Sequence, residues 1–121
     1  MADNDGLRDL TVDLMTGRVR KNGYTQGSNR KYFFGKPDNT PGNTTQKGYS
    51  DCSSAVRAAI LAATGKDIGS NTNAQVKNRA NGVVVDQTDG YYPNESRLLP
   101  GDCLYFKGNS GHALDVGHVE M

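Results

Sequence analysis

The chain has 121 residues, a formal net charge of +1 and a hydrophobic fraction of 35%. The length predicts one domain over residues 1–121, and the low hydrophobic fraction together with 15 glycines predicts many turns and a small core. A nearly neutral chain is not expected to bind nucleic acid, and no apolar stretch approaches the roughly 20 residues of a membrane span. Two cysteines exclude a disulfide scaffold, and no Cys-x-x-Cys pair or histidine cluster indicates a metal or another cofactor.

An amphipathic helix is predicted over residues 5–20. Leu7, Leu10, Leu14 and Met15 follow the spacing of one helical face, and Gly17 is a plausible stop. We expect this helix to cover the core rather than to dock a partner. The polar residues before it do not resemble a signal peptide, so we expect a chain without its own export signal.

Residues 22–50 are rich in Gly, Asn, Thr and Pro and predict a long irregular loop, a kind of segment that is often functional. The aromatic cluster Tyr32-Phe33-Phe34 predicts a short anchoring strand or turn within it. These rings are equally consistent with a core anchor and with the wall of a groove.

The clearest predicted helix covers residues 52–64, with Ser50 or Asp51 as its cap and Gly65 as the left-handed residue after its end. A shorter helix is predicted after it, and strands and turns follow. In chain order these are a helix over 72–80 stopped by Asn81-Gly82, a strand at 83–85, turns at 89–90 and 98–102, a strand at 103–107, a turn at 109–111 and a strand at 116–121.

Cys52 lies at the predicted start of a helix, where free backbone N–H groups and the helix dipole favour a thiolate. Thiolate catalysis also needs a general base, and the two histidines, His112 and His118, both lie near the end of the chain. From its residue type alone, Cys52 is better explained as a small buried hydrophobe. Cys103, at the start of a strand, is expected to belong to the core.

Three motifs occur in a fixed order. Asp51-Cys52-Ser53-Ser54 opens the helix, Leu99-Pro100-Gly101-Asp102-Cys103 opens a strand, and His118-Val119 lies in the last strand. Together they resemble the NlpC family of cell-wall cysteine peptidases over residues 30–121. The resemblance implies an α+β, papain-like fold, in which a helix bearing the cysteine packs on an antiparallel sheet.

The resemblance also implies roles for individual residues. Cys52 is expected to be the nucleophile and His118 the base, with His112 as the fallback base. Asp51 and Ser53 are expected to bind substrate, and Tyr32 to close the pocket. The backbone N–H of Cys52 would contribute to an oxyanion hole.

Two departures from the family pattern lie at the end of the chain. The third catalytic residue of the family, a His, Asn or Gln, would fall beyond Met121, and Glu120 stands where the family usually has Gly. We therefore expect a domain that lacks its last strands, as in a processed fragment or a piece that another virion or lysin chain completes.

The implied function is hydrolysis of stem-peptide amide bonds in bacterial peptidoglycan. The implied protein is a phage endolysin, which accumulates in the host cytoplasm before it reaches the cell wall, or a component of the virion tail. Three alternatives remain open: an N-acetylmuramoyl-L-alanine amidase, a non-catalytic wall-binding or virion structural module, and a papain-like acyltransferase. Peptidoglycan is the expected partner, with no nucleic acid and no membrane.

Overall fold

The computed structural model describes residues 4–78, 81, 99–107, 111 and 116–121, which form a small mixed α+β structure. Its elements in chain order are α1 (Asn4–Thr16), β1 (Asn22–Tyr24), a 3-10 helix (Ser28–Lys31), β2 (Gly48–Ser50), α2 (Cys52–Thr64), α3 (Thr72–Lys77), β3 (Leu104–Lys107) and β4 (Val116–Glu120). No helix in these ranges is long and apolar enough to cross a membrane. The strand predicted at 83–85 and the turn predicted at 89–90 lie outside the described residues, as does His112.

Helix α1 ends at Thr16, four residues before the predicted end at residue 20, and Gly17 marks the stop as expected. The Gly17 N–H still donates to the carbonyl of Asp13, but the Arg18 N–H donates three residues back, to Met15. Arg20 then adopts a left-handed φ of 67°, which no α-helix accommodates. The predicted helix was therefore too long, because its apolar pattern stops at Met15.

The long segment from residue 22 to residue 50 contains a parallel strand pair, which the sequence did not predict. Asn22 of β1 pairs with Gly48 of β2. The aromatic cluster forms a turn rather than a strand, and the rings of Phe33 and Phe34 are buried 4.9 Å apart in a T-shaped contact. Gly48 is required here, because a Cβ at this position would lie 2.6 Å from the carbonyl oxygen of Phe33.

Arg18 holds this segment in place from the end of α1. Its side chain is buried, and its guanidinium donates twice to Asn22 Oδ1, at 3.0 and 2.8 Å. It also donates to the backbone carbonyls of Asn43 and Gln46, both at 2.7 Å. One buried cation thus joins both ends of the segment to the helix that precedes it.

Helix α2 has the predicted boundaries, and Asp51 is its N-cap. The Asp51 carboxylate accepts from the Ser54 N–H, the Ser54 hydroxyl accepts from the Asp51 N–H, and Gly65 ends the helix at φ 77°. The next helix, α3, stops at Lys77 instead of the predicted residue 80. The physical reason is that Asn78 turns to extended backbone, while the Asn81 amide donates to the Gln75 carbonyl near the helix end.

The antiparallel pair β3–β4 packs against α2 through its apolar face. Val56 of α2, Ile68 and Val119 of β4 form one buried cluster, and the Cys52 and Cys103 side chains pack against it. A second cluster joins Ala59, on an adjacent face of α2, to Phe33 and Phe34. Helix α2 therefore contacts both the sheet and the long segment, and its first residue lies beside the sheet.

Candidate functional site

Cys52 is the first residue of α2, and its side chain is half-buried against the cluster around Val119. Neither its own backbone N–H nor that of Ser53 donates a hydrogen bond within the described part of the chain. Both groups lie in the first helical turn, where N–H groups have no partner inside the helix. A reacting carbonyl beside the Cys52 thiol would therefore meet two free donors on the positive end of the helix dipole.

Both carboxylate oxygens of Asp51 accept hydrogen bonds, one from its own helix and the other from Arg30. Its Oδ1 accepts from the Ser54 N–H at 3.0 Å, and its Oδ2 accepts from Arg30 Nη1 at 2.9 Å. Burial acts to raise the pKa of Asp51, but the hydrogen bonds from Ser54 and the charge of Arg30 together hold it below its usual range. The carboxylate is buried and anionic, and it stabilises the helix start that carries the thiol.

Ser53 and Tyr32, the other two expected substrate-binding residues, differ in their surroundings. Ser53 is 3% exposed, and its carbonyl accepts from the Gln75 side chain. The Tyr32 ring is half-buried, and the ammonium groups of Lys31 and Lys36 lie 5.2 and 5.5 Å from its centre. Only Asp51 and Ser53 adjoin Cys52, and both face into the protein.

Sequence reasoning did not single out Tyr105 and Gln75, which are joined to each other and to the residue after Cys52. The Tyr105 hydroxyl donates to Gln75 Oε1 at 2.7 Å, and the fully buried Gln75 donates in turn to the carbonyls of Ser53 and Gly69. Burial raises the pKa of Tyr105 well above its usual value, and the negative charges of the Cys103 and Cys52 thiolates raise it further. Tyr105 and both cysteines pack against the same buried cluster.

The alternation of side chains along a strand could have identified Tyr105, because residues 103 and 105 face the same side. Gln75 carries no such signal. Its role depends on contacts with Tyr105, 30 residues away, and with Ser53, 22 residues away.

The two thiols differ in their surroundings. Burial raises the pKa of Cys103 to about 11, and the charge of Asp102 adds to the shift. Cys103 is therefore a protonated thiol at neutral pH, packed against the Val119 cluster as expected of a core residue. Cys52, in contrast, is the first residue of a helix and is half-buried.

His118 lies on the face of β4 that is turned away from α2. Successive strand residues point to opposite sides, and Val119 is 2% exposed in the cluster against α2. The His118 side chain is 49% exposed, its ring packs beside Phe106, and its Nε2 is 3.2 Å from Glu120 Oε1. The structure therefore brings His118 to Glu120 and not to Cys52.

Within the described ranges, no group of three or more His, Cys, Asp or Glu side chains is placed to hold a metal ion. The arrangement at the start of α2 is a half-buried thiol with two free N–H donors, a neutral tyrosine hydroxyl and a carboxylate already paired with arginine. Compared with family models, with curated proteins and with solved structures, the chain finds no match in any of the three.

Proposed function

We propose that this chain is a papain-like thiol hydrolase that cleaves amide bonds in the stem peptide of peptidoglycan, with Cys52 as its nucleophile. The observation that carries the proposal is the position of Cys52 at the first residue of α2, beside two backbone N–H groups that have no acceptor in the described residues. The resemblance of the three sequence motifs to the NlpC family supplies the substrate class.

The reaction has two steps. The Cys52 thiolate attacks the amide carbonyl carbon, and the N–H groups of Cys52 and Ser53 stabilise the negative charge that develops on the oxygen. The C–N bond then breaks, the amine leaves with a proton from the general base, and a thioester remains on Cys52. Water, deprotonated by the same base, attacks the thioester and releases the carboxylate and the free thiol.

His118 serves as the base in this proposal only if β4 changes its register. A shift by one residue exchanges the two faces of a strand, so it would turn His118 toward α2 and Val119 away from it. The pairing is already irregular at this place: Phe106 pairs with His118 and Lys107 with Val116, which leaves Gly117 as a bulge. Glu120, on the same face as His118, would then orient the imidazole.

The first experiment measures release of soluble fragments from purified peptidoglycan. The wild-type chain and a Cys103→Ala variant should both release fragments, whereas Cys52→Ala should release none. The fragment masses distinguish cleavage within the stem peptide from cleavage of the amide that joins muramic acid to L-alanine. Release by Cys52→Ala, or none by the wild-type chain, would contradict the proposal.

A second experiment tests the base through the alkylation rate of Cys52. In a Cys103→Ser background, iodoacetamide reports on Cys52 alone. If His118 turns toward the thiol, His118→Gln should slow alkylation near pH 7, because the thiolate–imidazolium pair is lost. Equal rates in both chains would show that β4 keeps the register in which His118 faces solvent.

A non-catalytic wall-binding or virion structural module is the second candidate, and the outward-facing His118 favours it. This module would bind insoluble peptidoglycan and release nothing from it. The test is co-sedimentation with peptidoglycan. If the wild-type chain and Cys52→Ala co-sediment equally and neither releases soluble fragments, this function is established instead.

A further inference from the structure

A cavity of about 410 Å³ lies between α2 and the segment that follows the 3-10 helix. It is distinct from the thiol site, because it lies on the other side of α2. Cys52, Val56 and Ile60 follow one another at four-residue spacing along the sheet-facing side, whereas Ser54, Ala58 and Leu61 line the cavity. Its volume is in the range of sites for small organic molecules.

Among the described residues, the charged lining of this cavity is entirely cationic: Arg30, Lys31 and Arg57 contribute to it, and no carboxylate does. Arg30 uses Nη1 to bind Asp51, and Arg57 uses Nε and Nη2 to bind Asp67. Each guanidinium therefore keeps N–H donors free for a ligand. Lys31 has no acidic partner within the described residues, and its ammonium group lies over the Tyr32 ring.

The rest of the lining is mainly apolar. Leu61 is 41% exposed on the last turn of α2, and Phe34 forms part of the inner wall. Pro41, Ala58 and Ala62 complete this surface. A ligand that satisfies both parts of the lining needs an anionic group beside a hydrocarbon group.

We propose that this cavity binds a carboxylate that carries an apolar side chain, such as the C-terminus of a peptide ending in an aliphatic residue. Arginine pairs with carboxylates through two parallel hydrogen bonds, and a half-exposed lysine adds a point charge. The aliphatic group would cover Leu61 and the Phe34 edge. This site does not depend on the proposed hydrolase activity, because none of its residues contacts the Cys52 thiol.

The test is a titration of isotope-labelled protein with N-acetyl-leucine, followed by amide chemical shifts. Shifts should be confined to residues 30–41 and 54–62. N-acetyl-leucine methylamide, which lacks the carboxylate, should bind about tenfold more weakly or not at all, because it loses charge-assisted hydrogen bonds. A second titration with hexanoate distinguishes an alkyl carboxylate from a peptide C-terminus as the better ligand.

Lys31→Gln is the informative variant, because this side chain forms no ion pair within the described residues, whereas Arg30 stabilises the start of α2. It should weaken N-acetyl-leucine binding severalfold. Lys21→Gln, which removes a positive charge outside the cavity, is the matched control and should leave binding unchanged. Equal binding of acid and methylamide, shifts outside the cavity, or no saturable shift in any titration would overturn the proposal.

Discussion

Two regions of this molecule are held in place by different physical means. The segment between α1 and α2 has little regular structure, yet buried polar side chains fix its path: Arg18 binds both of its ends, and Asn22 donates to the Phe33 carbonyl. The β3–β4 pair has regular backbone hydrogen bonds, but it is attached to α2 through the apolar cluster that contains Val119. Regular secondary structure and firm tertiary attachment are therefore separate properties here.

The difference has a thermodynamic consequence. Removing a buried hydrogen-bonding group leaves its former partners unsatisfied, whereas trimming an apolar side chain loses only contact area and packing. A single substitution in the segment between α1 and α2 should thus lower the free energy of unfolding more than one in the β3–β4 pair, although the segment has the less regular structure.

The largest effect is expected from Arg18→Met. The substitution preserves much of the apolar stem but leaves Asn22 Oδ1 and the carbonyls of Asn43 and Gln46 without their donor. We expect the free energy of unfolding to fall by about 3 kcal/mol or more, measured by urea denaturation. The same change at the exposed Arg20 is the control and should cost less than about 0.5 kcal/mol. Equal effects at the two positions would show that the buried hydrogen bonds of Arg18 do not stabilise the segment between α1 and α2.

The sheet is tested with Val119→Ala and His118→Ala, two substitutions on opposite faces of β4. Val119 is 2% exposed, and its truncation should cost about 2 kcal/mol, whereas truncation of the exposed His118 should cost less than about 0.5 kcal/mol. Thermal or urea unfolding of both variants measures this difference. The reverse order would mean that His118 faces α2 in solution.

Tyr105→Phe is expected to have a smaller effect, of about 1–2 kcal/mol on the free energy of unfolding. The variant keeps the ring but leaves the buried Gln75 Oε1 without its donor. Tyr24→Phe, at a side chain that is 72% exposed, is the matched control and should be nearly neutral. If the two variants are equally stable, the Tyr105–Gln75 hydrogen bond contributes nothing to the attachment of the sheet.

The smallest effect concerns the charge of Asp51. Asparagine also caps helices, so Asp51→Asn removes the ion pair with Arg30 and should cost about 1 kcal/mol at pH 7. Because the folded-state pKa of Asp51 is depressed, its contribution is complete above the unfolded value near 3.8 and is lost as the pH falls through the folded value. Denaturation of both chains from pH 7 to pH 2 should show the gap closing below pH 4. A gap independent of pH would contradict this.

The sequence predicted the parts of the fold whose signals are local. Helix α2 has its cap and its terminal glycine within a short stretch, and both were found where expected. The contacts of Arg18 with the Asn43 and Gln46 carbonyls, and of Gln75 with Ser53 and Tyr105, join residues 22 to 30 positions apart. No local sequence pattern predicts them. These contacts form only when distant parts of the chain come together in the folded structure.

In the candidate site, too, some residues have a local signal in the sequence and others do not. Cys52 and Asp51 lie at the predicted helix start, because capping is a local property. For His118, two signals in the sequence disagree: the family resemblance points it toward Cys52, whereas the alternation of His118 and Glu120 with Val119 and Met121 predicts a polar face toward solvent. The structure follows the alternation, since burying Val119 against Val56 removes apolar surface from water.

One contact near the beginning of the chain bears on the order of events during synthesis. Arg8 donates to the Pro100 carbonyl and to Asp102, across 92 and 94 positions of sequence. A chain emerging from the ribosome completes α1, the long segment and α2 well before Asp102 becomes accessible. Until then α1 rests on α2 and on the buried rings of Phe33 and Phe34. The ion pair joins the two distant parts only after Asp102 has left the ribosome.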